Sequence, residues 1–526
     1  MYFQGDWLII ALTMMATAIM SKPYMYVIQQ DNYRLKGLFK SKSIRSFYLA
    51  DIVCVLVFLG IFTGAYFAGA GQKWLRMIVT FFLIATIVLY VVFDKEKKVP
   101  MRYTKRAVRG TLCVLSISTA LVTSIYLVSH LISEAILQFR AGVFLIFPAF
   151  YPLLFVIIMT FVNFFERLNN LRYEERAKRI LKNSSALKIA ITGSYGKTSV
   201  KNYLHQLLSV KYNVLSTPES YNTPMGIAKT VSMLDLSCDI FIAEMGARRV
   251  NDIVRLMKIV KPQIGVLTGL NCQHLETFKT EQNIVNEKLH VVDMLDKDGF
   301  CVVSSSVLNK KFVDLSKKIS ANIVVAGNEG EVYASDLRSF EGGTKFKLHF
   351  DTSVYEAKTA LLGRHNVDNL VLACAVAYKL GVPKELIVEK IACIEPVKHR
   401  LQLICVNGIK IIDDTFNSNP DGAKLALDTL ATFEGRKVVV TPGLVELGSR
   451  EYDENRILGE RICAVADEVV LVGGGRAEQV REGLGDYGGI LRHFDTLEEA
   501  QKSFKDFIMQ GDVVLLLNDL PDIYDD

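Results

Sequence analysis

Two kinds of hydrophobic pattern divide the chain. Up to about residue 165 the apolar positions come in long runs, roughly 7–28, 47–70, 75–93, 110–136 and 142–165, each long enough for a helix to cross a bilayer. The first is interrupted by Lys22-Pro23. From residue 186 the pattern changes to short β-branched runs that alternate with stretches of helical periodicity. Strands are expected at Asp239–Ala243, Gln263–Thr268, Phe300–Ser304 and Asn322–Ala326, and again at Lys410–Asp414, Lys437–Thr441, Glu468–Gly473 and Asp512–Leu517. Such alternation is the signature of a mostly parallel, doubly wound sheet. The predicted architecture is multi-domain: an α-helical transmembrane domain over 6–165, a helical linker over 166–185, a central α/β domain over 186–398 and a C-terminal, Rossmann-like α/β domain over 399–526. Residues Tyr2-Phe3-Gln4-Gly5 look like the remnant of a cleaved expression tag and carry no weight in the fold argument.

Charge adds a topology to this division. Segment 31–46 carries Arg34, Lys36, Lys40, Lys42 and Arg45; segment 95–109 carries Lys95, Lys97, Lys98, Arg102, Lys105, Arg106 and Arg109; segment 166–182 is again basic. The alternate connections, near Lys73 and Arg140, are nearly uncharged. The positive-inside rule therefore puts the three basic segments, and everything after residue 166, in the cytosol. Asp51, Arg76, His130 and Glu134 fall towards span ends and read as interfacial residues rather than an ion path.

Composition changes the picture only a little. The chain has 526 residues, half of them hydrophobic, and a mean hydropathy of +0.26, too apolar for an ordinary soluble protein. Its net charge of +6 is accounted for by the membrane-flanking segments and does not argue for nucleic acid as a partner. Nine cysteines are scattered with no CxxC pair, which disfavours a disulfide framework or a zinc site.

The chemistry is expected where the central domain opens. Lys188-Ile-Ala-Ile-Thr192 runs into Gly193-Ser194-Tyr195-Gly196-Lys197-Thr198, followed by a helical stretch over Ser199–Ser209. Glycines let backbone N–H groups converge on an anion at a helix N-terminus, Lys197 adds charge and the Thr198 hydroxyl suits Mg²⁺. The spacing is not the full GxxxxGK[ST], since Ile191 stands where its first glycine would be. Glu244 ends an apolar strand, where a carboxylate suits a divalent cation or caps the next helix. His274 follows the next strand and reads as a ligand or as a satisfied loop histidine.

Taken in order, Thr192–Thr198, Thr217-Pro218 with Asn222-Thr223, Glu244-Met-Gly-Ala-Arg-Arg249, His274-Leu-Glu276, Gly363-Arg-His365-Asn366 with Asn369, Arg400-Leu-Gln402, Asp413-Asp414-Thr-Phe-Asn417-Ser-Asn419-Pro420 and Val445-Glu446-Leu447-Gly448 resemble the motif series of the Mur ligase family. Within it the likeness is to the ligases that add D-alanyl-D-alanine to the UDP-linked peptidoglycan precursor. The resemblance implies that Gly193–Thr198 hold the ATP phosphates and that Thr198, Glu244 and His274 bind Mg²⁺. It implies a carbamylated lysine at Lys288, a further metal ligand, with Lys197, His274 and Lys288 forming the catalytic set. His365 and Asn366 correspond to adenine-side residues, Arg400 to a phosphate-facing residue near the domain hinge and Asp414 to the ribose contact. Thr217, Asn222, Thr223, Asn417 and Asn419 correspond to the substrate side. Three departures stand out: His290 where a Glu is expected after Lys288, Asn455 where a His is frequent, and Leu517-Asn-Asp-Leu-Pro521 in place of a Lys-Gly-Ser type loop. An ordinary solvated helix lysine remains the other reading of Lys288.

The family's UDP-binding N-terminal domain has no counterpart, and the five spans stand in its place. The expectation is a ligase of the bacterial cytoplasmic membrane, with catalytic domains in the cytosol, that uses ATP and Mg²⁺ to activate a carboxylate on a membrane lipid, lipid-linked or polymeric acceptor. An amino acid or small peptide supplies the amine, and a homo-oligomer or a membrane partner protein is compatible with this. An iterative poly-γ-glutamate-type synthetase and a catalytically silent membrane scaffold are the alternatives.

Overall fold

The computed structural model describes residues 4–518 except 31–32, 36–37, 39–40, 70, 93–100, 102, 132–133, 272–274, 309, 311–312, 314–321, 417–418 and 446. It divides into two compact units, Met1–Leu171 and Arg172–Asp526.

The first unit is helical. Helices Gln4–Gln30, Lys42–Phe67, Gln72–Val92, Lys105–Leu131 and Glu134–Asn183 are all long and apolar enough to cross a membrane. Large apolar side chains such as Leu56, Phe67, Trp74 and Phe81 face outward, an exterior suited to lipid rather than water. Several hydroxyls of the interior are satisfied locally. Thr13, Thr17 and Ser21 are buried on the first helix, and each hydroxyl donates to the carbonyl four residues earlier, at 2.8, 2.8 and 2.6 Å. Ser21 and Tyr151 also share a 2.8 Å hydroxyl contact. Asp51, expected at the interface, is instead buried inside the bundle, where it accepts a 2.7 Å hydrogen bond from the Tyr90 hydroxyl. The fifth apolar run and the linker expected after it form one helix, Glu134–Asn183. No glycine or proline breaks 166–182, and Pro148 and Pro152 do not end the helix.

The second unit holds two sheets. The larger comprises β1 (Leu187–Thr192), β2 (Val214–Ser216), β3 (Ile240–Glu244), β4 (Ile264–Leu267), β5 (Phe300–Ser304), β6 (Asn322–Gly327), β7 (Val332–Phe340), β8 (Gly343–Phe350) and β9 (Ser353–Thr359), in the order β2-β3-β1-β4-β5-β6-β7-β8-β9. Pairing is parallel from β2 to β7. Strands β7, β8 and β9 form an antiparallel meander that the hydrophobic pattern did not announce.

Both faces of the parallel part are covered, which is why its strands read as continuous apolar runs. Ile189 and Ile191 pack with Val200, Tyr203 and Leu204 of helix Lys197–Leu208 and with helix Arg364–Lys379. Ala190, Phe241 and Ala243 face the other way, towards helices Asp252–Val260 and Glu281–Asp293 and towards Ala177 and Leu181. The chain moves outward on one side of β1 and then crosses to β4 on the other. A crevice therefore opens beyond the carboxyl ends of β1 and β4, the place where ligands sit in such sheets.

The smaller sheet comprises β10 (Gln402–Val406), β11 (Ile409–Asp414), β12 (Lys437–Thr441), β13 (Glu468–Val472), β14 (Ile490–Phe494) and β15 (Val513–Leu517), in the order β10-β11-β15-β12-β13-β14. It is parallel apart from the β10–β11 hairpin. The segment that enters it is conformationally unusual: His399 and Leu401 take φ of 61° and 49°, a left-handed backbone that non-glycine residues adopt only at a cost.

Candidate active site

The loop between β1 and helix Lys197–Leu208 lies at that crevice. Gly196 has φ of 82°, and a Cβ there would stand 2.4 Å from Asn369 Oδ1; a Cβ on Gly193 would stand 2.1 Å from Thr268 Oγ1. Only glycine lets the backbone come this close at both positions. The loop is tied to the end of β4: the Ser194 N–H donates to the Gly269 carbonyl at 2.7 Å, the Ser194 hydroxyl to Asn271 O at 3.2 Å, and the Thr268 hydroxyl to the Tyr195 carbonyl. The result is an open cradle of backbone N–H groups at a helix N-terminus, a geometry that fits a phosphate chain.

Lys197 Nζ is folded back onto the Gly193 and Ser194 carbonyls, at 2.9 and 3.1 Å. Burial lowers its pKa to about 8; the positive charge of Arg400 acts in the same direction and Glu244 opposes both. Thr198 is 8% exposed, and Arg400 Nη2 reaches its hydroxyl at 3.4 Å. Arg400 lies beyond the central domain, stacks over Phe416 at 4.4 Å, and so lays a C-terminal-domain cation over the mouth of the cradle.

Glu244, 1% exposed at the end of β3, is held from three sides. Its N–H donates to Thr217 Oγ1 at 3.1 Å, Asn222 Nδ2 donates to its Oε1 at 3.2 Å, and Lys201 Nζ faces its Oε2 at 3.2 Å. Glu244 does not cap the next helix. That role belongs to Glu287, whose carboxylate accepts the N–H groups of Asn251 and Ile253, both at 2.7 Å. Lys288, next to it on helix Glu281–Asp293, is 4% exposed and is therefore not a solvated surface lysine. Burial lowers its pKa to about 7; Lys197 pushes the same way, and Glu287 and Asp252 oppose them.

A cleft of about 310 Å³ runs from the cradle to the C-terminal domain. Tyr195, Gly196, His365, Asn366 and Asn369 line it on one side, and Arg400, Asp414, Phe416 and Asn419 on the other. Asn366 is locked in place, donating from Nδ2 to Leu362 O at 2.9 Å and accepting from the Tyr203 hydroxyl at 3.1 Å. His365 has a buried Nδ1 with no partner among the described residues, and burial, helped by Arg400, takes its pKa down to about 4, so it is a neutral imidazole at physiological pH. Asp414 Oδ1 accepts the Leu401 N–H at 3.2 Å and so also fastens the hinge.

The residues singled out from the sequence do not all converge. Thr217 and Asn222 are gathered at Glu244, outside the cleft lining. Thr223 is an exposed N-cap that accepts from Gly226 N at 3.2 Å, and Asn419 caps helix Pro420–Ala431 through Gly422 N at 2.9 Å. His274 and Asn417 lie outside the described residues. Lys201, Tyr203 and Glu287 went unnoticed in the sequence. The cue for Lys201 was its place one helical turn after Lys197. Among the departures, Asn455 is fully buried, with Oδ1 accepting from Leu444 N at 2.7 Å and Nδ2 donating to Leu444 O at 3.1 Å, which pins the 443–445 loop.

A loop that fits phosphates and a neighbouring buried carboxylate together suit a nucleotide–metal complex. Comparison with known proteins agrees. Residues 191–377 match the Mur ligase middle domain, and residues 399–518 the family described as Mur ligase, glutamate ligase domain. The UDP-N-acetylmuramoyl-tripeptide–D-alanyl-D-alanine ligase of Buchnera aphidicola is 28% identical over 346 residues, covering 64% of this chain and 72% of that protein. Its Bacillus subtilis namesake is 24% identical over 347 residues, covering 65% and 75%. Among solved structures, the MurF ligase of Thermotoga maritima in complex with ADP superposes with a TM-score of 0.60 at 27% identity, over 68% of this chain and 81% of that one. MurF from Acinetobacter baumannii gives 0.60 at 26% identity, over 68% and 78%. With both its middle and C-terminal domains accounted for in this way, the chain belongs to the Mur ligase family, the ATP-dependent, ADP-forming amide ligases.

Proposed function

We propose that this ligase works in the bacterial cytoplasmic membrane. Its acceptor is a carboxylate carried on a lipid-linked or polymeric envelope substrate, and its amine comes from an amino acid or small peptide. The observation that carries the reading is the five-helix domain, with its outward-facing apolar side chains, in a chain whose family match begins only at residue 191. The basic loops orient the ligase domains towards the cytosol, where ATP is.

The chemistry has two steps. An acceptor carboxylate oxygen bonds to the γ-phosphorus of ATP as the bond to the β-phosphate oxygen breaks, giving an acyl phosphate and ADP. The amine nitrogen then bonds to the acyl carbon, the carbon–oxygen bond to phosphate breaks, and the nitrogen loses a proton. The Gly193–Thr198 loop seats the phosphates through the backbone N–H groups other than that of Ser194, which donates to Gly269 O. Lys197, once it leaves the Gly193 and Ser194 carbonyls, joins Arg400 in facing the charge that builds on them. Thr198, Glu244, His274 and a carbamylated Lys288 would hold Mg²⁺, which neutralises phosphate charge when bound. His365 and Asn366 line the base side of the cleft, and Asp414 the ribose side. Closure about the 399–401 hinge excludes the water that would hydrolyse an acyl phosphate.

The test is phosphate release by the purified full-length protein with Mg·ATP, envelope lipid extract and single amines, D-alanyl-D-alanine among them. The Lys197→Ala protein serves as control. Release that needs both lipid and one amine supports the reading. Full turnover on a UDP-linked precursor without lipid overturns it, and chain-extending turnover with glutamate alone favours a polyglutamate-type synthetase.

A further inference from the structure

Lys201 is a buried cation with no partner in the chemistry above. It is 1% exposed, one turn along the helix from Lys197. Its Nζ donates to the Glu219 carbonyl and faces Glu244 Oε2 at 3.2 Å; Glu244 is itself 1% exposed. Lys197 and Arg400 also act on Glu244 electrostatically, while Glu219 partly offsets the charge of Lys201 and Asp414 that of Arg400. A buried ion pair of this kind does little for stability relative to apolar packing, so its presence inside a nucleotide site calls for another explanation.

We propose that Lys201 is a resident counter-cation on Glu244 that holds a divalent metal off the site until nucleotide phosphates arrive. This deepens the proposed assignment of Glu244 as a metal-binding carboxylate and rests on it. A metal ion entering alone meets the ammonium charge of Lys201 and has to displace it from Glu244 Oε2. A nucleotide in the cradle reverses that balance, because its phosphates compensate Lys197 and Arg400. Lys201 then moves off Oε2 without being stranded, since its second anchor, the Glu219 carbonyl, stays in place. Metal binding becomes conditional on nucleotide. Asn222, on Oε1 of the same carboxylate, is carried into the change.

The experiment measures Mn²⁺ binding to the full-length protein in detergent by electron paramagnetic resonance of the free ion, with and without ADP. Wild type and Lys201→Arg are expected to bind weakly without nucleotide and tightly with ADP. Lys201→Met is expected to gain about tenfold or more in nucleotide-free affinity, the equivalent of about 1.4 kcal/mol, and to lose most of its ADP dependence. Lys201→Gln, which keeps a donor for the Glu219 carbonyl but no charge, guards against misfolding of the Met variant and is expected to behave in the same way. Tight nucleotide-free binding by wild type, or unchanged nucleotide-free affinity in the uncharged variants while ADP still binds, overturns the proposal. Glu244→Gln tests the underlying reading separately: if it keeps ADP-dependent Mn²⁺ binding, the metal site is elsewhere.

Discussion

Lys288 offers the sharpest quantitative test of the site. Its burial holds the ammonium form down until the pKa reaches about 7, where an ordinary lysine titrates near 10.5. At pH 7 about half of the Lys288 population is then neutral amine, against roughly one in 3,000 for a solvated lysine. Only the neutral amine captures CO₂ as a carbamate, so the environment raises the reactive fraction by about three orders of magnitude. The sign follows directly. As pH falls through 7 the amine protonates, the carbamate is lost, and carbamate-dependent turnover falls on the acid side. Protein stripped of CO₂ should lose activity and regain it with bicarbonate, with an apparent midpoint near pH 7. Lys288→Ala should be inactive and indifferent to bicarbonate, yet partly rescued by short carboxylates that reach the vacated space. The assay is phosphate release across pH in CO₂-free and bicarbonate buffers, alongside the carbonyl signal of ¹³C-bicarbonate-treated protein. Turnover that ignores CO₂ at every pH, with no carbamate resonance, would refute the reasoning and leave Lys288 as a plain buried cation near the phosphates.

Three further outcomes follow from neighbouring contacts. Glu287→Gln weakens two backbone N–H bonds at the start of helix Asp252–Val260, costing about 1–2 kcal/mol in denaturant unfolding; it also removes a charge that supports the Lys288 ammonium, so the bicarbonate midpoint should move to lower pH. Gly196→Ala places a Cβ against Asn369 in a left-handed backbone, a strain of about 1–2 kcal/mol before any clash, and calorimetry should show ADP affinity down by about tenfold or more. Asn455→Ala strands the buried Leu444 N–H and should destabilise the C-terminal domain by about 2 kcal/mol, read as an early unfolding transition with nucleotide binding to the central domain retained.

Much of this protein was decided by local pattern. The five apolar runs of the first unit are helices, the form in which a long apolar stretch satisfies its own backbone hydrogen bonds. Strands β1, β3, β4 and β5 fell close to where β-branched runs predicted them, since both faces of a parallel sheet demand apolar residues. The phosphate loop was legible because its glycines are irreplaceable: at Gly193 and Gly196 a single added carbon collides with Thr268 or Asn369. Groups that act through partners distant in the chain were not legible. Glu287 and Lys288 are adjacent in sequence, yet one is a helix cap and the other a buried amine, a difference set by the helix that packs against them. Lys201 looks like any charged helix residue until β3 brings Glu244 to its side. The reach of Arg400 to Thr198 spans 202 positions of sequence. Periodicity and glycine placement are written into neighbouring residues, whereas burial, and with it protonation and pairing, depends on which elements the folded chain stacks together.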